Sequence, residues 1–238
     1  MRAVIELHNV GKRYTSNNAV HDLSFTFDAG MRVGIFGLNG AGKTTILKLI
    51  AGLLQPTQGY IKTHMPATDD CCPLAMLSDK STFFSWMTAK DIVNFMESLY
   101  ACFCAKRFYQ LLDELDVPQH QHKRVRQLSK GQLQKVKISS VLATKAKVYL
   151  FDEPLAGIDL IARDKIISAI DACLATDSDS VGIISTHEIR DVARLVNKAL
   201  ILSTGQVLRC LDYDHRHSDK DYLYNEFRTA VKGANDNT

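Results

Sequence analysis

The residues with the clearest chemical potential run Gly37-Leu38-Asn39-Gly40-Ala41-Gly42-Lys43-Thr44, followed by Thr45. Their spacing fits GxxxxGK[ST] at every required place. Glycines let backbone N–H groups turn inward around a phosphate with no Cβ in the way. A helix start just behind the loop adds a partial positive charge. Lys43 is then the side chain to reach the β- and γ-phosphates, and the Thr44 hydroxyl the group to hold Mg²⁺. A glycine-rich turn without a ligand is the alternative. The pattern points to nucleotide binding and by itself leaves the reaction open.

A second candidate is Val148-Tyr149-Leu150-Phe151-Asp152-Glu153, in which four apolar residues deliver two acids to a strand end. Ligands of open α/β sheets sit at such ends. Asp152 suits a magnesium ion reached through its water shell. Glu153 suits the general base that orients water for attack on a γ-phosphate. A solvated strand end is the plainer reading.

Leu128-Ser129-Lys130-Gly131-Gln132 has capping-box spacing between Ser129 and Gln132. It predicts a helix start, running to about Ala143. The sharper reading is that this N-terminus also faces a phosphate. One phosphate loop is already present, so the second donor set would serve another subunit's ATP.

The elements that must position these groups are legible as patterns. Val4 to Val10 and Leu23 to Phe27 read as strands, Met31 to Phe36 as a buried strand, and Ile46 to Leu53 as an apolar-periodic helix. Gly59 to Lys62 is a further candidate strand. Between Thr88 and Thr144 the pattern turns helical: Thr88 and Asp91 resemble a capping box, and Phe108, Leu111, Leu112 and Leu115 form an amphipathic face ended by Pro118. Ala146 to Phe151 and Val181 to Ser185 return to strand character, and Leu200 to Leu208 reads as a hairpin. Tyr222 to Val231 could form a short helix in a polar tail.

At 238 residues the chain is predicted to be one domain carrying a subdomain, with a core that needs neither disulfide nor metal. A net charge of +3 with no basic stripe argues against a nucleic-acid partner. Glu6 and His8 interrupt any leader-like core, and no run approaches the roughly 18 apolar residues of a spanning helix. The expectation is a soluble protein whose membrane role comes through a partner. Six cysteines without a CxxC framework predict reduced thiols. His120-Gln121-His122 and His215-Arg216-His217 read as solvated.

The order GLNGAGKT, LSKGQ, VYLFDE, AGID and STHE resembles the ATP-binding-cassette (ABC) ATPase family across residues 2 to 210. The resemblance implies an α/β P-loop fold: a RecA-like mixed core with an antiparallel β subdomain and a helical subdomain. It places the nucleotide-binding domain at 1–212, the helical insertion at about 88–144 and a polar tail at 213–238. It also implies two subunits arranged head to tail, each ATP lying between the phosphate loop of one and the Ser129, Gly131 and Gln132 turn of the other. By position, Tyr14 stacks on adenine, Asp159 couples the two sites, and His187 contacts the γ-phosphate beside the catalytic Glu153. A strand-end aromatic, a helix cap and a loop histidine are the respective alternatives.

Two positions depart from the family pattern. Lys130 replaces the usual first glycine of the signature. Asp79 falls where a glutamine normally meets the metal, making Thr44, Asp79 and Asp152 the implied Mg²⁺ ligands. Phe83, Phe84 and Trp86 read as core packing, or as lining for a membrane partner. The resemblance extends to ATPases of small bacterial exporters that have a separate permease, at the cytoplasmic face of the inner membrane. A soluble ABC ATPase, such as an iron–sulfur assembly partner, is the alternative. A nucleotide switch without turnover is disfavoured, because it needs neither Glu153 nor His187.

Overall fold

The computed structural model describes residues 2–15, 17–65, 71–80, 82–117, 123–214 and 221–235. In chain order the elements are β1 (Ala3–Tyr14), β2 (Asn17–Asp28), β3 (Arg32–Gly37), α1 (Lys43–Ile50), β4 (Gln58–Thr63), β5 (Cys72–Leu77), α2 (Ala89–Leu99), α3 (Ala105–Glu114), α4 (Lys130–Leu142), β6 (Ala146–Asp152), α5 (Leu160–Thr176), β7 (Val181–Thr186), α6 (Ile189–Val192), β8 (Lys198–Ser203), β9 (Gln206–Asp212) and α7 (Tyr222–Asn235). Backbone contacts divide them into two units, Met1–Met65 with Ser178–Thr238, and Pro66–Asp177.

The first unit holds two sheets. β1 pairs antiparallel with β2 and β4, and its alternate residues Ile5 and Leu7 are buried together with Leu23 and Phe27 of β2. That alternation is what a half-buried antiparallel sheet requires. The second sheet has the order β7-β3-β8-β9, parallel except for β9. All six residues of β7 are buried, as expected where both faces are covered. Thr204 and Gly205 join β8 to β9 with φ of 45° and 80°, the two positive values that a tight hairpin turn of matching twist needs. α7 buries Leu223, Phe227 and Ala230, so the predicted short helix extends to Asn235 and packs its apolar face.

The second unit contains the parallel pair β5–β6 with α2, α3, α4 and α5. The capping box at the start of α2 forms as predicted: the Asp91 N–H donates to Thr88 Oγ1, and the Asp91 carboxylate accepts from the Thr88 N–H at 2.8 Å. Phe108, Leu111 and Leu112 of α3 are fully buried. β5 is an addition to the sequence reading. Its Pro73 lacks a backbone donor and is tolerated at the sheet edge that β5 forms.

Two expectations are corrected in this unit. Cys72 and Cys102 are bonded (S–S 2.10 Å, Cα–Cα 6.3 Å), whereas all six thiols were expected to be reduced. The Lys145 carbonyl accepts from the Cys72 N–H, and the Lys145 N–H donates to the Cys102 carbonyl, which brings the two cysteines side by side. Cys71, Cys104, Cys173 and Cys210 are free thiols. Phe83 is buried as expected, but Phe84 and Trp86 are exposed and stack on one another at 6.1 Å. His120, His122, His215, His217 and Pro118 lie outside the described residues.

Candidate active site

In the first unit, β3 is buried from Val33 to Gly37 and releases the chain into the glycine-rich loop. Gly42, φ 100°, is the N-cap of α1, and a Cβ there would stand 2.3 Å from the Ala19 carbonyl. Only glycine meets both demands. No side chain caps α1, so its first turn, with Thr44 and Thr45 half-buried, presents backbone N–H groups to the loop. Lys43 is buried and folds back, donating to the carbonyls of Gly37 (2.9 Å) and Leu38 (3.3 Å). Leu38, Asn39 and Gly40 are exposed at the loop tip, and Ala41 is buried beneath it.

β3 and β7 are in parallel register, with Phe36 opposite Thr186. His187 and Gly37 are each the next residue, so both emerge at the same end of the sheet. His187 is exposed, in a tight turn where the Glu188 N–H donates to Thr186 Oγ1 at 3.0 Å. Tyr14 ends β1 with its ring 44% exposed and the Lys12 ammonium 5.5 Å from the ring centroid. A ring this accessible can stack on a planar base.

In the second unit, β6 ends on Asp152, a carboxylate only 1% exposed. Glu153 follows at φ 46°, a left-handed conformation that a non-glycine residue adopts at some cost. Gln134 of α4 holds that turn, its Nε2 donating to the carbonyls of Pro154 (3.2 Å) and Glu153 (3.4 Å). Asp79 lies just beyond β5, exposed, and its Oδ1 accepts from the Lys80 N–H (2.9 Å) and Ser78 Oγ (3.1 Å).

Lys137 is the residue that sequence reasoning missed. It is buried on α4, and its Nζ donates to the carbonyls of Ser78 (2.5 Å) and Asp79 (3.4 Å). Burial pushes its pKa down, while the charges of Asp79 and Asp152 oppose that shift. The available signal was a lysine set between Val136 and Ile138 in a helix that is otherwise buried there. Asp79, Asp152 and Lys137 thus form one charged group.

These carboxylates suit a hard cation. Among the described residues no three His, Cys, Asp or Glu side chains converge on a metal position. Mg²⁺ fits such a site, since it takes one or two carboxylates and completes its shell with phosphate and water.

The predicted Ser129–Gln132 capping box opens α4, with Ser129 exposed. A Cβ on Gly131 would stand 3.2 Å from the Gly157 carbonyl, so this turn lies against the one that leads into α5. Asp159 caps α5, accepting from the Ala162 N–H at 3.0 Å, which realises its capping alternative. Leu160 and Ile161 beside it are 77% and 81% exposed.

Residues 20–156 match the family model described as ABC transporter. The chain is 30% identical over 220 residues to the ABC transporter ATP-binding protein NatA of Bacillus subtilis, covering 87% of this chain and 89% of that one. It is 26% identical over 214 residues to the SkfA peptide export ATP-binding protein SkfE of the same organism, covering 87% and 89%. Iron and molybdenum import ATP-binding proteins are also among its relatives. The dimeric structure of the bacterial ABC transporter cassette MJ0796 aligns with TM-score 0.76 and 25% identity, covering 87% of this chain and 98% of that one. The chain belongs to the ABC transporter family, as one of its ATP-hydrolysing ATP-binding proteins.

Proposed function

We propose that this chain drives a membrane exporter, working as one of two cassettes that close on ATP and reopen after hydrolysis, with a separate integral-membrane permease as partner. The observation that carries this reading is the exposed Ser129 helix start, packed against a turn flanked by the exposed apolar Leu160 and Ile161. A chain that already owns a phosphate loop has use for a second phosphate-facing helix start only toward another subunit's ATP. The apolar pair beside it provides surface to bury in that association.

In this reading Gly37 to Thr45 wrap the triphosphate, Lys43 draws the β- and γ-oxygens, and Tyr14 stacks on the base. Thr44, Asp152 and Asp79 hold Mg²⁺, which neutralises charge on the phosphates. Glu153 orients the attacking water, and His187 meets the γ-phosphate. Asp159 stands at the junction of the two cassettes.

Among the described residues no helix is long and apolar enough to cross a membrane, and the reading assigns membrane passage to the permease. The stacked, exposed Phe84 and Trp86 offer an apolar surface for it. Likeness to a peptide-export ATP-binding protein supports the outward direction. The test is affinity capture of the tagged chain from detergent-solubilised membranes. Recovery of a polytopic membrane protein supports the proposal. Recovery of soluble iron–sulfur assembly proteins alone would replace it with the soluble-machine reading.

A further inference from the structure

We infer that Lys137 is a positioning residue for hydrolysis: from α4 its ammonium pins the Ser78–Asp79 backbone and so fixes where the Asp79 carboxylate is presented. The inference rests on the reading of Asp79 as a metal-side residue. It starts from a cost, since Lys137 is a charged residue only 5% exposed, and its ammonium gives up hydration for contact with carbonyls. A methionine would fill the same space without that penalty, so the charge is there to act. Its contacts are the carbonyls of Ser78 and Asp79, and the charges nearest it are the carboxylates of Asp79 and Asp152.

Gln134 lies three residues earlier, on the same face of α4, and holds the Glu153–Pro154 backbone in the same manner. One helix therefore braces both loops that carry the candidate metal and water-orienting groups, and its first turn is the Ser129 cap. Gln134 meets its loop as a neutral donor. Lys137 meets its loop as a cation whose field also reaches two carboxylates.

The test compares steady-state phosphate release by the full chain and its K137M, K137R and D79A variants across ATP and Mg²⁺ titrations. Methionine keeps the stem volume, so loss of packing is not confounded with loss of charge. In K137M, kcat should fall by about 10-fold to 100-fold, the usual cost of removing a group that orients a metal ligand. KM for ATP should stay within about twofold, because the phosphate loop is untouched. K137R should recover most of the rate, since a guanidinium can donate to the same carbonyls.

Trp86, the chain's single tryptophan, reports on the same loop. Its quenching by acrylamide should rise in K137M and return in K137R. A K137M enzyme with wild-type kcat would overturn the inference. So would kcat and thermal midpoint falling together with neither recovered by K137R, which is the behaviour of a packing residue. D79A at the wild-type rate and Mg²⁺ dependence would instead remove the underlying reading of Asp79, an outcome separate from any result at Lys137.

Discussion

The backbone N–H of Gln132 donates to Ser129 Oγ at 3.2 Å, and the Gln132 side-chain oxygen accepts from the Ser129 N–H at 3.1 Å. The pair satisfies the start of α4 without any ligand, so structure alone gives Ser129 a reason to be there. A substitution that keeps the cap and reverses the electrostatics separates that reason from a role in binding phosphate. Aspartate caps as well as serine and gains from the helix dipole. Ser129→Asp should therefore hold its thermal midpoint, whereas Ser129→Ala should lose about 1 kcal/mol of stability. If the turn meets a partner's ATP, Ser129→Asp should nevertheless abolish ATP-dependent dimerisation, because it sets a carboxylate against a triphosphate. Wild-type dimerisation of that variant in light scattering would leave Ser129 as a cap only.

Lys43 offers the complementary prediction. Its ammonium is spent on the carbonyls of its own loop, at Gly37 and Leu38, when no phosphate competes. Lys43→Ala should lower ATP affinity by about 10-fold to 100-fold, the value of a charge-assisted contact or two. The chain should remain folded, because the loop is already shaped by Gly42 and α1. Fluorescent-nucleotide titration measures this, and unchanged affinity would count against the assigned role of the loop lysine.

What could be foreseen from sequence divides along physical lines. The phosphate loop and the capping boxes at Thr88 and Ser129 are contiguous, since each depends on contacts spanning a few residues, and their spacing therefore carries them. The strand runs ending at Gly37 and Asp152 were legible because burial on both faces leaves a continuous apolar signature. The Cys72–Cys102 bond and the grip of Lys137 on Ser78 arise from residues 30 and 59 apart in sequence, and no local pattern encodes such an approach. Phe84 and Trp86 misled the reading because aromatic residues signal burial on average, while one face of a loop can leave them outside.

The Cys72–Cys102 bond closes a loop across 30 residues and ties the start of β5 to the segment after α2. Chain-entropy reasoning values such a closure at about 3 to 4 kcal/mol. Reduction should accordingly lower the thermal midpoint by about 10 °C. A Cys72→Ser, Cys102→Ser double variant should match the reduced wild type and ignore reductant. Calorimetry with and without dithiothreitol checks both statements, and an insensitive wild type would show that the bond contributes nothing to stability.

Asp91 supplies a pH dependence. Hydrogen bonds from the Thr88 N–H, and then from its hydroxyl, hold the Asp91 carboxyl below the ordinary carboxylate range. A pKa depressed in the folded state means that the unfolded chain takes up its proton first as pH falls. The stabilisation is therefore whole above the unfolded value, near about pH 4, and is lost as pH drops through the folded value. Asp91→Asn should be less stable than wild type at neutral pH, and the gap should close on acidification. Urea midpoints measured from about pH 6 to pH 3 follow it, and a gap constant with pH would reject the cap as its source.

Glu153 carries the most consequential prediction, because its backbone and side chain point to different variants. The left-handed φ of 46° and the Gln134 contacts fix the main chain whatever side chain is present. Glutamine should therefore be accommodated with little change in stability, while it cannot take a proton from water. Hydrolysis by Glu153→Gln should fall by about 100-fold to 10,000-fold, the range for a lost general base. ATP binding should persist, since the phosphate loop is intact, and closure should then outlast the measurement. The variant is expected to run as a dimer in gel filtration with Mg-ATP and as a monomer with ADP, because only the triphosphate offers a γ-phosphate to the second cassette. Gln134→Ala provides the control on positioning: it releases the same backbone but leaves the carboxylate, so its rate should drop without trapping the dimer. A Glu153→Gln chain that stays monomeric at saturating Mg-ATP, while binding nucleotide normally, would remove the shared-ATP arrangement and leave the Ser129 turn as a helix cap only.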